Sequence, residues 1–586
     1  MMNKSSVLLR ILWLLLLAVF PWLVLGPAGQ ALESIPLRLA VFAALTAGLA
    51  WLFHRAWNGV SWLHAGLFTM LAQAGVYKLA SFLPDLSTYP FSLGWSEASR
   101  YYYASLVFSE RLYGLELPTS ILHPTRYLMQ SLPFLLGDSP LWLHRLWQVL
   151  LWLGFTGGTA ALLGKRAQVC RASNAMRLAF LLWAALFLFQ GPVYYHLLVM
   201  VMLVVWGHNS QRFGRTLLIV LLASAWAGVS RVNWLPVPAL IAACLYLIDT
   251  PVRGKPLLRY LLPPAVWGIL GTAIGYAVQQ AYQAWSGNPA AYFGSAFQSD
   301  LLWYRLLPNT TYPLGILPSA LLVSLPLLAL LGLRLLQNRA SLGRMDWLRL
   351  LGLAAALLAL FAGGVLVSLK IGGGSNLHNL DAYLALLLVV GSMLYFGRFA
   401  TENRAALHGE PGQAPGAEAA ALAAVLLLPA LFAVTYGGAL PNRDLDGAQA
   451  ALQTLRQEVS LALEDGGDNL DREVLFITQR HLLTFGEIES IPLAPEYELV
   501  FLMEMAMSAN PDYLSQFHAD IQNQRFGYIV SEPLATGLQG PHHAFGEEND
   551  AWVEQVSIPV LCYYEPTVSL DGYNIQILTP RPNPCE

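Results

Sequence analysis

Up to about residue 440 the chain is a succession of long apolar runs separated by short polar breaks. A helix needs roughly 20 mostly apolar residues to cross a bilayer. On that measure thirteen spans are predicted, near 7–25, 35–56, 60–83, 141–164, 176–191, 193–207, 214–230, 234–249, 258–284, 314–334, 347–369, 379–397 and 419–440. The pair around Gln190-Gly191-Pro192 is short and also reads as one kinked hairpin. The first run follows Lys4 and Arg10 as in a signal peptide, but its length favours an uncleaved first span.

Two breaks are long. In 84–140, the stretch SEASRYYYASLVFSERLYG reads as an amphipathic helix with its aromatics on one side, and HPTRYLMQSLPFLLG as a shorter one. Such helices are expected in the plane of the membrane interface. The break 285–313 has the same aromatic character. After residue 440 the pattern changes. GAQAALQTLRQEVSLALEDGG reads as a helix ended by glycine. REVLFIT, FGYIVSE, SIPVLCYYEP and YNIQILTP read as strands, with a polar helix at NPDYLSQFHADIQNQ. This alternation predicts a small α/β domain over 441–586, beside a transmembrane domain over 1–440.

Composition agrees with the pattern. Of 586 residues 56% are hydrophobic and 12% charged, against about 25% charged in an ordinary soluble domain. A disordered chain, a coiled coil, a collagen-like fibre and a soluble enzyme of ordinary make-up are excluded. The net charge of -3 hides an asymmetry: residues 1–440 hold 27 Lys and Arg against 13 acids, and residues 441–586 hold 6 against 23. Alternating sides from a cytoplasmic N-terminus puts 18 of those 27 cations in inner loops, as the positive-inside rule requires. An odd number of spans then places 441–586 outside an inner (plasma) membrane. The Gly/Pro/Ala-rich linker 402–418 lies inside. The acidic surplus of the C-terminal part argues against nucleic acid or anionic lipid as its partner. That part reads either as a solvated cover over the membrane part or as an acceptor-binding domain.

Candidate chemistry is sparse. The cysteines Cys170, Cys244, Cys562 and Cys585 fit no metal spacing; Cys562 and Cys585 share the C-terminal part and would be able to pair in an oxidising compartment. There is no CxxC, GxxxxGK[ST] or HExxH, so zinc, redox and ATP-driven chemistry have no motif. No cofactor is expected, and a divalent metal is not favoured. Asp249, Asp346, Glu402, Glu410 and Glu418 fall at inner span ends and read as solvated. Glu97 stands out, beside Trp95 and before Arg100 and three tyrosines. It reads as a functional carboxylate or as a first-turn acid favoured by the helix dipole. Arg231 and Lys370 sit at outer span ends, either on a ligand or snorkelling to headgroups. Gly372, Gly373 and Gly374 beside Lys370 permit close backbone approach and an anion nest, or a hinge. His123 and His378 are polar candidates at the same face. His196 reads as a satisfied interhelical histidine.

The stretch Trp95-Ser96-Glu97-Ala98-Ser99-Arg100-Tyr101-Tyr102, in a long first outer loop of a multi-span protein that ends in an α/β domain, resembles the GT-C glycosyltransferases. The nearest types are dolichyl-phosphate-mannose mannosyltransferase-like and aminoarabinose-transferase-like enzymes. Their loop carries an acidic pair before the aromatic/Arg cluster; here Ser96 replaces one acid and Glu97 remains. The resemblance implies a GT-C-like fold and a sugar donor linked to polyprenyl phosphate. The phosphate leaves as a stable anion, so one carboxylate base suffices for inverting attack by a lipid, glycan or protein acceptor. In this reading Glu97 is the base, and Arg231, Lys370, Arg100 and Arg126 hold the donor phosphate. Tyr101, Tyr102, His123, Gly372, Gly373, Gly374 and His378 line the cavity. Other classes that fit are an exporter of lipid-linked glycans and a non-catalytic scaffold of the same architecture. The oligomeric state is left open by the sequence.

Overall fold

Each of the thirteen apolar runs is wound into helix in the computed structural model, which describes residues 4–169, 173–372, 377–403, 416–464, 473–489 and 491–585. Among the described residues nine helices are long and apolar enough to cross a membrane. Asn174–Gln190, Tyr195–Gly207 and Phe213–Gly228 are apolar but shorter. The chain is a polytopic helical membrane protein.

Helix Asp381–Tyr395 (DAYLALLLVVGSMLY) is buried along nearly its whole length. A helix that is apolar on every face has no side to give to water and belongs in the core. It packs against Leu141–Arg166, Asn174–Gln190, Val237–Asp249, Ile316–Gln337 and Arg344–Ser368. Its polar N-terminus, Asp381, therefore comes to lie inside the bundle rather than at a rim.

The acids predicted to be solvated at inner span ends are instead held in ion pairs. Asp346 and Arg349 are both buried and paired at 2.9 Å. Arg334 meets Glu418 at 2.7 Å, and Arg166 meets Asp249 at 2.8 Å. Glu402 accepts from the Val252 and Arg253 N–H groups. The cause is the cation surplus of these ends: a carboxylate packed between helices is stable only beside a cation. Glu410 falls outside the described residues, as do Cys170, Gly373 and Gly374.

The four strands form one sheet, in the order β1 (Glu473–Phe476), β2 (Phe526–Ser531), β4 (Ile575–Pro580), β3 (Tyr564–Leu570). β1 and β2 run parallel, and β4 is antiparallel to both β2 and β3. Successive residues of a strand face opposite sides. Here both sides are apolar: Leu475, Ile529 and Leu578 pack beneath Leu499–Met507 and Pro511–Gln522, while Val474, Phe476, Val530 and Ile577 pack beneath Leu445–Glu464. The predicted strand SIPVLCYYEP is only half correct. Ile558–Tyr563 is helical, continuing from Gly546–Trp552 through a π-turn at Val553–Ser557 just before Pro559, and the strand begins at Tyr564.

The loop helix is not interfacial. Glu97–Ser105 is buried except at Arg100. Its tyrosines reach the C-terminal residues: Tyr103 donates to Glu498 at 2.5 Å, the Arg480 guanidinium lies 4.7 Å over the Tyr102 ring, and Tyr101 meets Phe485 edge-on. What resembled an interfacial aromatic stripe is the seam between loop and C-terminal sheet layer.

Candidate functional site

The hairpin Gln190–His196 breaks two apolar helices with a run of polar and aromatic residues. Gly191 fits there because a Cβ would lie 2.5 Å from Leu384. Tyr194 becomes the hub of a half-buried cluster in which Arg126 and His196 are buried. The Arg126 guanidinium sits 4.5 Å over its ring. His378 meets it edge-on at 4.8 Å, His196 lies at 5.7 Å, and His123 at 6.5 Å. His123 and His196 are 5.9 Å apart. His123 adopts a left-handed backbone (φ 50°) just before Pro124, which turns the chain so that Arg126 enters from the first turn of Pro124–Gln130.

Arg231 approaches from the end of Phe213–Gly228. It donates to Asp381 Oδ2 at 3.1 Å and to Asn379 Oδ1 at 2.8 Å, while Trp234 Nε1 donates to Asp381 Oδ1 at 3.0 Å. The core helix thus fixes Arg231 through its own N-terminal carboxylate. Burial, then the charges of Arg231 and Arg126, hold the His123 imidazole well below its ordinary 6.5, so it is neutral at pH 7.

Several buried polar atoms in this region have no hydrogen-bond partner: Arg126 Nε, Arg100 Nε, His123 Nδ1, both ring nitrogens of His196 and both amide atoms of Gln190. Buried polar groups are paired in more than about nine cases of ten, so such a concentration marks a place built for a polar ligand or water. His196 is thus not the satisfied histidine the sequence suggested. Tyr194 and Gln190 were missed altogether; the polar interruption of an apolar hairpin was the signal.

Glu97 is differently placed. Both carboxylate oxygens accept from Arg145, at 3.1 and 3.0 Å, and Oε2 also accepts the Leu93 N–H at 2.6 Å. Arg145 in turn donates to the carbonyls of Ser87, Tyr89 and Phe91. Burial alone would raise the Glu97 carboxyl; the hydrogen bonds and charge of Arg145, with Arg100 and the Leu93 N–H, outweigh it and hold the group below its ordinary value. A carboxylate so occupied is a poor proton acceptor, against the expectation of a base. The pair clamps the loop 87–97. Arg145 was legible as a lone charge inside an apolar run, which by itself calls for a partner.

Asp85, in the turn Leu83–Asp85 that follows Trp62–Ala80, is exposed. Partial burial and the Glu97 charge raise its carboxyl above the usual range, with Arg100, Lys78 and Arg443 acting the other way. The Arg100 charge acts on both Asp85 and Tyr195, and Tyr195 also feels Arg126.

Lys370 joins another network. Its backbone bridges Leu301, and its charge interacts with that of Glu504. Gly372 adopts φ 71° and gives its N–H to Glu548 at 2.8 Å; a Cβ there would collide with Met507. Glu548 also receives both Nη groups of the buried Arg305. Gly372 is thus spent on docking the C-terminal layer rather than on a ligand. Tyr101 and Tyr102 are buried in the loop seam. Of the predicted residues, Arg231, Arg126, His123 and His378 come together, with Arg100 at the edge. Among the described residues no group of three metal-ligating side chains occurs. Compared with known proteins, the chain matches no family model and no curated sequence.

Proposed function

We propose that the protein is a GT-C-like membrane glycosyltransferase, which moves a sugar from a polyprenyl-phosphate donor to an acceptor on the extracytoplasmic side. The observation that carries this reading is the Arg126–Arg231–His123–His196 cluster, in which Arg126 Nε, His123 Nδ1 and both ring nitrogens of His196 are buried without a hydrogen-bond partner. The Arg126 guanidinium beside neutral imidazoles, with Arg231 held next to it by Asp381 and Asn379, suits a phosphate on a lipid better than a neutral group.

The acceptor oxygen attacks the anomeric carbon on the face opposite the phosphate. The new C–O bond forms as the sugar–phosphate bond breaks, giving inversion. The electron pair stays on the polyprenyl phosphate, where Arg126 and Arg231 balance it. The acceptor proton goes to Asp85, whose raised carboxyl and open position suit a base better than the clamped Glu97. Glu97 and Arg145 are positioning residues that hold the loop.

The test is transfer from a labelled polyprenyl-phosphate sugar in proteoliposomes. Asp85→Asn should lower turnover about 10²–10⁴-fold with donor affinity and melting temperature unchanged. Normal turnover in that variant removes Asp85 as base; no transfer by the wild type from any polyprenyl-phosphate sugar removes the reading. The scaffold alternative gains from the occupied state of Glu97 and predicts that second result.

A further inference from the structure

A second polar depression lies apart from the cationic cluster, between the loop and the C-terminal sheet. It encloses about 190 Å³. One wall is Ser92–Trp95 with Ala98 and Ser99; the other is Ile477–Arg480, Glu498, Glu532 and Asn574. Residues 477–480 follow β1 and Glu532 follows β2, so the depression lies off the carboxyl ends of two parallel strands, where open α/β sheets take their ligands.

Two hydroxyls point to a ligand. Ser99 is 1% exposed and Thr478 4% exposed, both line the cleft, and neither side-chain oxygen has a hydrogen-bond partner. They come from opposite walls. Gln479 and Asn574 line the cleft with left-handed backbones, φ 53° and 56°, a conformation that Asn tolerates and Gln rarely adopts.

The charges decide the ligand class. Arg480 is spent: Nε, Nη1 and Nη2 donate to the carbonyls of Phe476, Pro495 and Glu496. Glu498 is spent on the Tyr103 hydroxyl and two backbone N–H groups. Among the described residues nothing bonds the carboxylate of Glu532, and burial raises its pKa. The lining holds one guanidinium and two carboxylates, a net negative charge that disfavours an anion. Trp95 is 49% exposed and gives one apolar ring face. Hydroxyl donors and acceptors, one free carboxylate and an indole face match a sugar ring, which has polar edges and an apolar face.

We propose that the cleft between Ser92–Ser99 and the ends of β1 and β2 binds a neutral or amino saccharide, the glycan end of the acceptor. Its identity as acceptor rests on the glycosyltransferase reading; its preference for uncharged or cationic sugar does not.

The test uses the full chain in nanodiscs and equilibrium binding of three probes, maltotriose, chitosan trisaccharide and trigalacturonic acid, with farnesyl phosphate measured in parallel. Maltotriose and the chitosan trisaccharide should bind and trigalacturonic acid should not. Ser99→Ala and Thr478→Val should each weaken binding about 5–10-fold. Neither should lower the melting temperature, because each removes an unpaired buried hydroxyl. Glu532→Gln should abolish the advantage of the amino sugar over maltotriose. Farnesyl phosphate binding should be the same in all three variants. The proposal is overturned if no trisaccharide binds, if trigalacturonic acid binds as well as the others, or if Ser99→Ala and Thr478→Val leave affinity unchanged. Farnesyl phosphate bound without any trisaccharide would sink this site and leave the glycosyltransferase reading standing. Trisaccharide bound without farnesyl phosphate would do the reverse.

Discussion

Replacing Glu97 by glutamine changes shape little and charge completely. Glu97 is 4% exposed and meets Arg145, itself 2% exposed, through two hydrogen bonds near 3 Å. In the variant one amide oxygen still accepts, but the amide NH₂ faces a guanidinium donor, and Arg145 keeps its charge without a counter-charge. Breaking a buried pair from one side costs about 3–5 kcal/mol. The three carbonyls of the 87–91 segment remain bonded to Arg145, which favours the lower part of that range. The pH dependence gives a second handle. The folded carboxyl lies below its ordinary value of 4.5. Its stabilisation is therefore fully present above pH 4.5 and is lost as pH falls through the lower, folded value. The assay is thermal unfolding of the detergent-solubilised protein from pH 8 down to pH 3, with limited proteolysis of the loop read alongside. The wild type should melt well above Glu97→Gln from pH 8 to about pH 5, and the two curves should converge in acid. Equal melting at neutral pH, or a gap that persists unchanged at pH 3, refutes the clamp. Replacing both partners, as in Glu97→Leu with Arg145→Met, should not restore stability, because the Ser87, Tyr89 and Phe91 carbonyls lose their donor.

Other consequences follow from the same contacts. Arg305→Gln frees Glu547 and Glu548 from a fully buried guanidinium, so proteolysis between the membrane part and the C-terminal layer should accelerate; an unchanged digestion pattern counts against this latch. Cys562 and Cys585 are joined by a backbone hydrogen bond of 3.1 Å, and contact with the Cys585 thiol raises that of Cys562. Mild oxidation should therefore remove two hydrogens by intact mass and add about 3 kcal/mol of stability, whereas two free thiols after oxidation would show the geometry to be wrong. A reporter fused after Glu586 should be active outside the cytoplasm and one inserted in 402–418 inside; activity on one side for both would remove the span between them.

The apolar runs located the long helices among the described residues up to Thr435, because a helix closes its own hydrogen bonds and needs only its own residues to form. Charge asymmetry likewise marked the change near residue 440 without any contact being known. What the chain order hid are pairings over long separations. Glu97 looked like a reactive acid until Arg145, 48 residues away, occupied it. The tyrosines of Glu97–Ser105 looked interfacial until residues nearly 400 positions later covered them. Arg231 and Lys370 looked alike as outer cations. Only packing around the buried helix Asp381–Tyr395 set Arg231 beside Arg126 and His123 and left Lys370 facing Glu504. Periodicity records which residues avoid water; which buried charge meets which partner is decided when distant segments pack, and there the carboxylates of this protein acquired their roles.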